Sequence, residues 1–199
     1  MQVSVCSQAP DFIAAAVMAD GSIREDFKLS DYRGKYVILF FYPMDFTFVC
    51  PSEIIAHNKR AKQLRDLEVE LIGVSIDSQY THLAWRNTPL ENGGIGEVDF
   101  PLVADVKHEI VQAYGVENAD GVALRASFLI DREGIIQQMT VNNLPLGRNV
   151  DEFLRLVDAL QFTEKFGEVC PAGWQKGDQG MVPTKEGVAE YLSTHEEKL

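Results

Sequence analysis

The chain has 199 residues, a length that suits one domain or one domain with an appended tail. Apolar residues make up 46% and charged residues 24%, ordinary for a soluble globular fold, and no apolar run approaches the ~18 residues a membrane helix needs. The net charge of −12 is spread along the sequence and argues against nucleic acid and anionic membrane as partners, since both would repel it.

In chain order, "YVILFFY" (36–42) is apolar throughout and predicts a strand buried on both faces. "PSEIIAHNKRAKQLRDL" (51–67) predicts a helix with Ile54, Ala61 and Leu64 on one face and Pro51 in its first turn. "VELIGVSID" (69–77) predicts a second strand, and the order strand, helix, strand implies parallel pairing through a right-handed crossover. "ASFLID" (126–131), the turn "DREG" and "IIQQMTV" (135–141) predict an antiparallel hairpin. "NVDEFLRLVDAL" (149–160) predicts a helix with Val150, Phe153, Leu154 and Val157 on one stripe. After about residue 163 the chain becomes rich in Gly and Pro ("GEVCPAGWQKGDQGMVP"), an irregular arm. A last amphipathic helix follows, with Val188, Tyr191, Leu192 and His195 spaced i, i+3, i+4, i+7.

A βαβ unit followed by ββα is an α/β plan. The expected architecture is a thioredoxin-like fold over residues 1–163, a central mixed β-sheet flanked by helices. Residues 164–199 form a C-terminal arm that packs on its own core or on a neighbouring chain.

The three cysteines, Cys6, Cys50 and Cys170, are odd in number and far apart, which is no disulfide scaffold. "MQVSVCSQAPDF" has neither a basic stretch nor a long apolar core, so it does not read as a secretory signal. The expected compartment is a reducing cytoplasm, where thiols are metal ligands, catalysts or inert packing. No Cys-x-x-Cys pair occurs, and His57, His82, His108 and His195 do not pair at ligand spacing. "HEIVQAYG" lacks the second His of a zincin helix. Zinc ligation is not expected, and catalysis or packing remain.

Cys50 sits where the loop after a buried strand enters a helix, the carboxyl-end position at which open α/β sheets bind ligands. The helix start offers unpaired N–H groups and the positive dipole end, and both favour the nucleophilic thiolate. If the helical turn begins at Thr47, its hydroxyl shares a face with the Cys50 sulfur. Pro43 has no N–H and a rigid ring, so it shields the sulfur without offering a competing donor. Phe46 and Phe48 make the loop apolar. Taken singly, Cys50 reads as packing, Thr47 as a cap and Pro43 as a strand terminator.

Together, "PMDFTFVCP" resembles the peroxidatic motif of the peroxiredoxins, and "FFYPMDFTFVCPSE" resembles the typical 2-Cys subgroup. The resemblance extends through "APDF" (9–12), "LSDYRGKYVILFFYP" (29–43), "GVSIDSQYTHLAW" (73–85), "FPLVAD" (100–105), "RASFLID" (125–131), "LPLGR" (144–148) and "VCPAGW" (169–174). It implies that the Cys50 thiolate attacks hydrogen peroxide or an organic hydroperoxide and becomes a sulfenic acid. Thr47 and Arg125 then hold the peroxide oxygens, and Glu53 and Arg148 form a supporting polar pair. It also implies that Cys170 resolves the sulfenic acid of another chain as a disulfide. A thioredoxin-type or flavoprotein-type disulfide reductase restores the thiols. A homodimer assembling into a decamer is implied too, with Thr81 and Phe46 in regions the family uses for dimer-to-dimer contacts.

Without the resemblance, Arg125 reads as a surface ion pair at a strand edge and Glu53 as a first-turn helix charge. His57, His82 and Trp85 read as helix-surface or packing residues. Cys6 departs from the family pattern and reads as a packed or exposed thiol. A thioredoxin-like disulfide exchange protein would place a second Cys within the first helical turn, where this chain has Thr47 and Glu53. A holdase or scaffold role stays open as a second activity. The family links a "GGxG" loop and a C-terminal "YF" pair to inactivation by excess peroxide. This chain has "GGIG" at 93–96 but "YL" at 191–192, which implies intermediate sensitivity.

Overall fold

The structure is a computed structural model and describes residues 3–198. It divides into two compact units, Met1–Val150 and Asp151–Leu199.

The first unit is built on β1 (Ile13–Val17), β2 (Ile23–Lys28), β3 (Tyr36–Phe41), β4 (Val69–Ser75), β5 (Leu102–Ala104), β6 (Arg125–Ile130) and β7 (Ile136–Asn142). They form one seven-stranded sheet in the order β2-β1-β5-β4-β3-β6-β7. β3, β4 and β5 run parallel, while β6, β7, β1 and β2 join antiparallel, so the sheet is mixed as the sequence predicts. Every residue of β3 is buried, which its unbroken apolar run requires of a strand covered on both faces. In β4, Gly73 stands opposite Phe40, and a Cβ there would meet Phe40 Cζ and Leu102 Cδ2 at 3.0 Å each. Only glycine lets these two buried side chains close over the strand.

Between β3 and β4 lies α1 (Cys50–Asp66), which buries Ile54, Ala61 and Leu64 as their spacing predicts and packs on β4. α2 (Gln79–Arg86) packs on β1 and β5, its start capped by the Ser78 hydroxyl, which accepts from the Thr81 N–H at 3.2 Å. α3 (Glu109–Ala113) is a short turn of helix. The core gathers Phe27, Leu39, Phe41, Ile72, Val74, Val103, Tyr114 and Phe128, with Phe41 and Tyr114 edge-on or tilted to Phe128.

In the second unit α4 (Asp151–Phe166) runs six residues past the predicted end at residue 160. The arm after it is irregular, held by a reciprocal backbone pair between Val169 and Met181 at 2.9 Å and by Trp174, whose ring lies tilted against Phe162 at 4.9 Å. α5 (Lys185–His195) forms where its periodicity predicts, but none of its residues is buried. Val188 and Leu192 remain 36% and 46% exposed, while Tyr191 and His195 of the same stripe are half-buried beside Trp174. Among the described residues no helix is long and apolar enough to cross a membrane.

Candidate active site

The chain leaves β3 through Tyr42 and Pro43, both buried, and turns sharply before α1. Phe46 adopts a left-handed φ of 54°, a conformation a bulky residue holds only when its surroundings fix it. Asp45 supplies the fixing. It accepts from the Tyr42 hydroxyl at 2.9 Å and lies 2.7 Å from His82 Nδ1, and its own N–H donates to Asp77 Oδ2 at 2.9 Å. Burial pushes the Asp45 carboxyl up despite its bond to His82. His82 Nε2 faces the Val103 carbonyl at 3.1 Å, which only accepts, so Nε2 carries a proton and a second one is shared between Nδ1 and Asp45. Phe46 packs on buried Trp85 at 5.9 Å.

This clamped turn presents Thr47 to Cys50. The helix begins at Cys50 rather than at Thr47, so the shared face expected from helical spacing is absent. The contact forms nevertheless, through the turn. Thr47 Oγ1 lies 2.9 Å from Cys50 Sγ and 2.8 Å from the Met44 carbonyl. A hydroxyl has one proton for these two acceptors, so it can serve the carbonyl beside a thiol and the sulfur beside a thiolate. Cys50 is 0% exposed. The N-cap, Val49, has no capping side chain, and Pro51 offers no N–H.

Across from the sulfur stands Arg125, the first residue of β6. It is 3% exposed, with Nη1 3.4 Å from Cys50 Sγ and 2.7 Å from Glu53 Oε2, and its Nε donates to the Leu144 carbonyl at 2.6 Å. The ordinary reading of Arg125 as a surface ion pair is therefore wrong: its partner is a buried carboxylate. Glu53 is likewise no exposed first-turn charge. Its Oε1 accepts from Arg148 N and Nε at 2.9 Å each, and its Oε2 from Arg148 Nη2 at 2.9 Å. Burial pushes the Glu53 carboxyl up, but the hydrogen bonds and charge of Arg148, with the charge of Arg125, hold it below the usual carboxylate range. Arg148 Nη1 also donates to the carbonyls of Phe41 and Ala126 and to Ser127 Oγ, tying α1 to β3 and β6. Two guanidinium groups and one carboxylate leave one net positive charge beside a neutral Cys50. An anion at Sγ, thiolate or peroxide oxygen, balances it.

A family description, the AhpC/TSA family, matches residues 5–139. The chain belongs to the AhpC/TSA family of peroxiredoxins. A second description, the C-terminal domain of 1-Cys peroxiredoxin, matches residues 159–194 of this peroxiredoxin, a segment that here contains Cys170. Peroxiredoxin-2 of Mus musculus is 56% identical, covering 94% of each chain. Alkyl hydroperoxide reductase C of Buchnera aphidicola is 53% identical over 97% of this chain and 99% of that one. The crystal structure of reduced Plasmodium vivax 2-Cys peroxiredoxin superposes with a TM-score of 0.93 at 54% identity, covering 95% of this chain and 98% of that one. The fold is thioredoxin-like.

The peroxiredoxin thus gathers Thr47, Cys50, Glu53, Arg125 and Arg148, with Pro43 buried at the entrance of the turn. Cys170 belongs to the second unit. It is a free, half-buried thiol whose Sγ donates to the Ala159 carbonyl at 3.6 Å. Cys6 is exposed and free, at a φ of 66°. Sequence reasoning missed the Tyr42–Asp45–His82 clamp, although an aspartate inside the apolar run "PMDFTFV" was a signal that a buried partner exists. His57 and His82 are wholly buried, which excludes the helix-surface reading and leaves packing. The His57 ring stacks on Phe40 at 4.0 Å and 8°, and its Nδ1 lies 2.7 Å from the Glu53 carbonyl.

Proposed function

We propose that this peroxiredoxin reduces hydrogen peroxide and alkyl hydroperoxides with Cys50 as the attacking thiol and Cys170 of another chain as the resolving one. The observation that carries the reading is the convergence of Thr47 Oγ1 and Arg125 Nη1 on a buried Cys50 Sγ at 2.9 and 3.4 Å. Donors fixed beforehand around a reacting atom stabilise charge as it develops. The thiolate attacks one peroxide oxygen. An S–O bond forms as O–O breaks, and the leaving oxygen departs with a proton as water or alcohol. Thr47 and Arg125 hold the oxygens in line, while Glu53 and Arg148 fix the Arg125 guanidinium. Pro43 closes the turn side without a competing N–H.

The resulting sulfenic acid condenses with Cys170, and a thioredoxin-type or flavoprotein-type dithiol reductant reopens the disulfide by exchange. Only thiols and bound oxygen take part, so no cofactor is required. The working unit is a homodimer, assembling further to a decamer. Support comes from apolar rings left outside the fold, with Phe48 97%, Tyr80 66% and Phe46 50% exposed. The peroxidase domain of residues 1–163 and the arm of residues 164–199 divide the labour between the cysteines, and the compartment is the cytoplasm.

A peroxide-consumption assay with a dithiol reductant tests the reading. Cys50→Ser abolishes turnover, and Cys170→Ser leaves a single burst without recycling. Oxidised wild type runs as a covalent dimer on a non-reducing gel, and that dimer vanishes in Cys170→Ser. Full turnover in Cys50→Ser would sink the assignment, and an oxidised wild type that stays monomeric would sink the interchain disulfide.

A further inference from the structure

Thr163 follows Ala159 by four residues in α4, so the two share a face of the helix. Cys170 lies against that face. Its S–H donates to the Ala159 carbonyl at 3.6 Å, and its Sγ is 3.8 Å from Thr163 Oγ1. The Thr163 hydroxyl donates to the same carbonyl at 3.0 Å. Neighbouring bonds keep the sulfur in place. Val169 is paired with Met181, the Trp174 N–H donates to the Pro171 carbonyl at 3.1 Å, and Arg155 Nη1 donates to the Trp174 carbonyl at 3.1 Å.

The arrangement repeats the one at Cys50. There Thr47 Oγ1 lies 2.8 Å from the Met44 carbonyl and 2.9 Å from the sulfur. Each cysteine has beside it a threonine whose single proton has a choice between a main-chain carbonyl and the sulfur.

We propose that Thr163 is a catalytic residue of the resolving step, its hydroxyl turning from the Ala159 carbonyl to the Cys170 sulfur as the thiol ionises. The proposal rests on the reading of Cys170 as the resolving thiol. Cys170 gives its proton to solvent and ceases to donate to Ala159. Rotation about the Cβ–Oγ bond alone, with no change of heavy-atom positions, redirects the Thr163 proton to the thiolate. The thiolate electron pair then forms the S–S bond to the Cys50 sulfur, the S–O bond of the sulfenic acid breaks, and hydroxide leaves and is protonated to water. The oxidant is the sulfenic acid itself. Arg155, forked onto Glu152 at 2.7 and 2.6 Å, is a charged group whose field reaches Cys170, and a change at Thr163 leaves that pair in place.

The test is iodoacetamide alkylation of Cys170 in full-length Cys50→Ser protein, followed as a function of pH, together with disulfide formation in the Cys50 protein measured apart from the oxidation step. Thr163→Val preserves shape and removes the hydroxyl. Alkylation near neutral pH is expected to slow about fivefold, the value of one modest net hydrogen bond. In strongly alkaline solution, where every Cys170 is ionised, the rates converge. Disulfide formation slows by a similar factor, and Thr163→Ser restores both. An unchanged neutral rate in Thr163→Val overturns the proposal, as does a slowing that persists at all pH values, since that reports access rather than ionisation. Alkylation that behaves as expected in a protein whose wild type forms no Cys50–Cys170 disulfide overturns the resolving assignment and not the effect of the hydroxyl on the sulfur.

Discussion

Cys50 is sealed from solvent among two buried arginines and a buried glutamate, whereas Cys170 leans on one carbonyl and one partly exposed hydroxyl at the edge of a helix. The difference fits the two reactions proposed for them. Breaking an O–O bond places charge on a leaving oxygen, and fixed donors in a dry site stabilise that charge most strongly. In the proposed disulfide step Cys170 is the sulfur brought to Cys50 of another chain, and a side chain held by two weak contacts leaves its place at little cost. A buried ionic cluster suits the first task, and a light tether on an arm suits the second.

The sharpest way to break this comparison is Arg125→Ala. It removes a donor at the peroxide side only, and the rate of Cys50 oxidation, followed by stopped-flow fluorescence, is expected to fall about 100-fold or more. Cys170 alkylation is expected to stay as in wild type. A loss of only a few-fold would place the two cysteines on the same footing.

Glu53→Gln attacks stability as well as the placing of Arg125. It leaves the two guanidinium groups of Arg125 and Arg148 buried beside a neutral amide, and breaking a buried pair in this way costs about 3 kcal/mol or more. Urea unfolding at neutral pH checks it. Removing the Lys176–Asp158 pair of the second unit, whose lysine is exposed, is by contrast expected to cost under about 1 kcal/mol.

Acid should find the first unit before the second. Burial, then the charge of Arg148, brings the His57 imidazole down from 6.5 to about 3. The folded chain therefore binds fewer protons at His57 than the unfolded chain between those values, so stability falls as pH drops through 6.5 towards 3. Glu53, held below its ordinary value, acts in the same direction but lower: its stabilisation is complete above 4.5 and is lost as pH falls through its folded value. His57 alone accounts for about 2 kcal/mol between pH 7 and pH 5. His57→Phe keeps the stack on Phe40, and the difference between its unfolding free energies at the two pH values should shrink by that amount.

The smallest effect expected is at α5. Truncation before Tyr191 is expected to speed disulfide formation a few-fold and to lower the sulfinic acid yield at Cys50 in a peroxide titration read by mass spectrometry. Equal yields in the truncated and full-length proteins would show that this helix does not govern the waiting time of the sulfenic acid.

Much of this was legible in the sequence where a pattern is local. The apolar run of β3, the face of α1 and the β6–β7 hairpin each lie within one stretch of chain. β1, β2 and β5 were not legible for separate reasons. "IAAAV" is too alanine-rich for a strand signal, "IREDFK" is the charged edge of the sheet, and "LVA" is too short to show a period. At the site, the resemblance pointed to Thr47, Cys50 and Arg125 and to Glu53 with Arg148 as a polar pair, but the residues read alone did not say why Arg125 tolerates burial. The answer, Glu53, lies 72 residues away in sequence. The Asp45–His82 bond spans 37 residues and was invisible for the same reason.

Gly73 has a consequence for the chemistry although it touches no reacting atom. The missing side chain sets how far the Phe40 ring sinks into the sheet. That ring carries the Arg148 guanidinium over it at 5.5 Å, Arg148 grips Glu53, Glu53 grips Arg125, and Arg125 faces the sulfur. The position of the donor is thus gauged from the spacing of the sheet, link by link, with a hydrogen atom as the shim at the far end. Gly73→Ala adds one methyl group four contacts away from Arg125, and its effect would be read as a slower oxidation of Cys50 by peroxide.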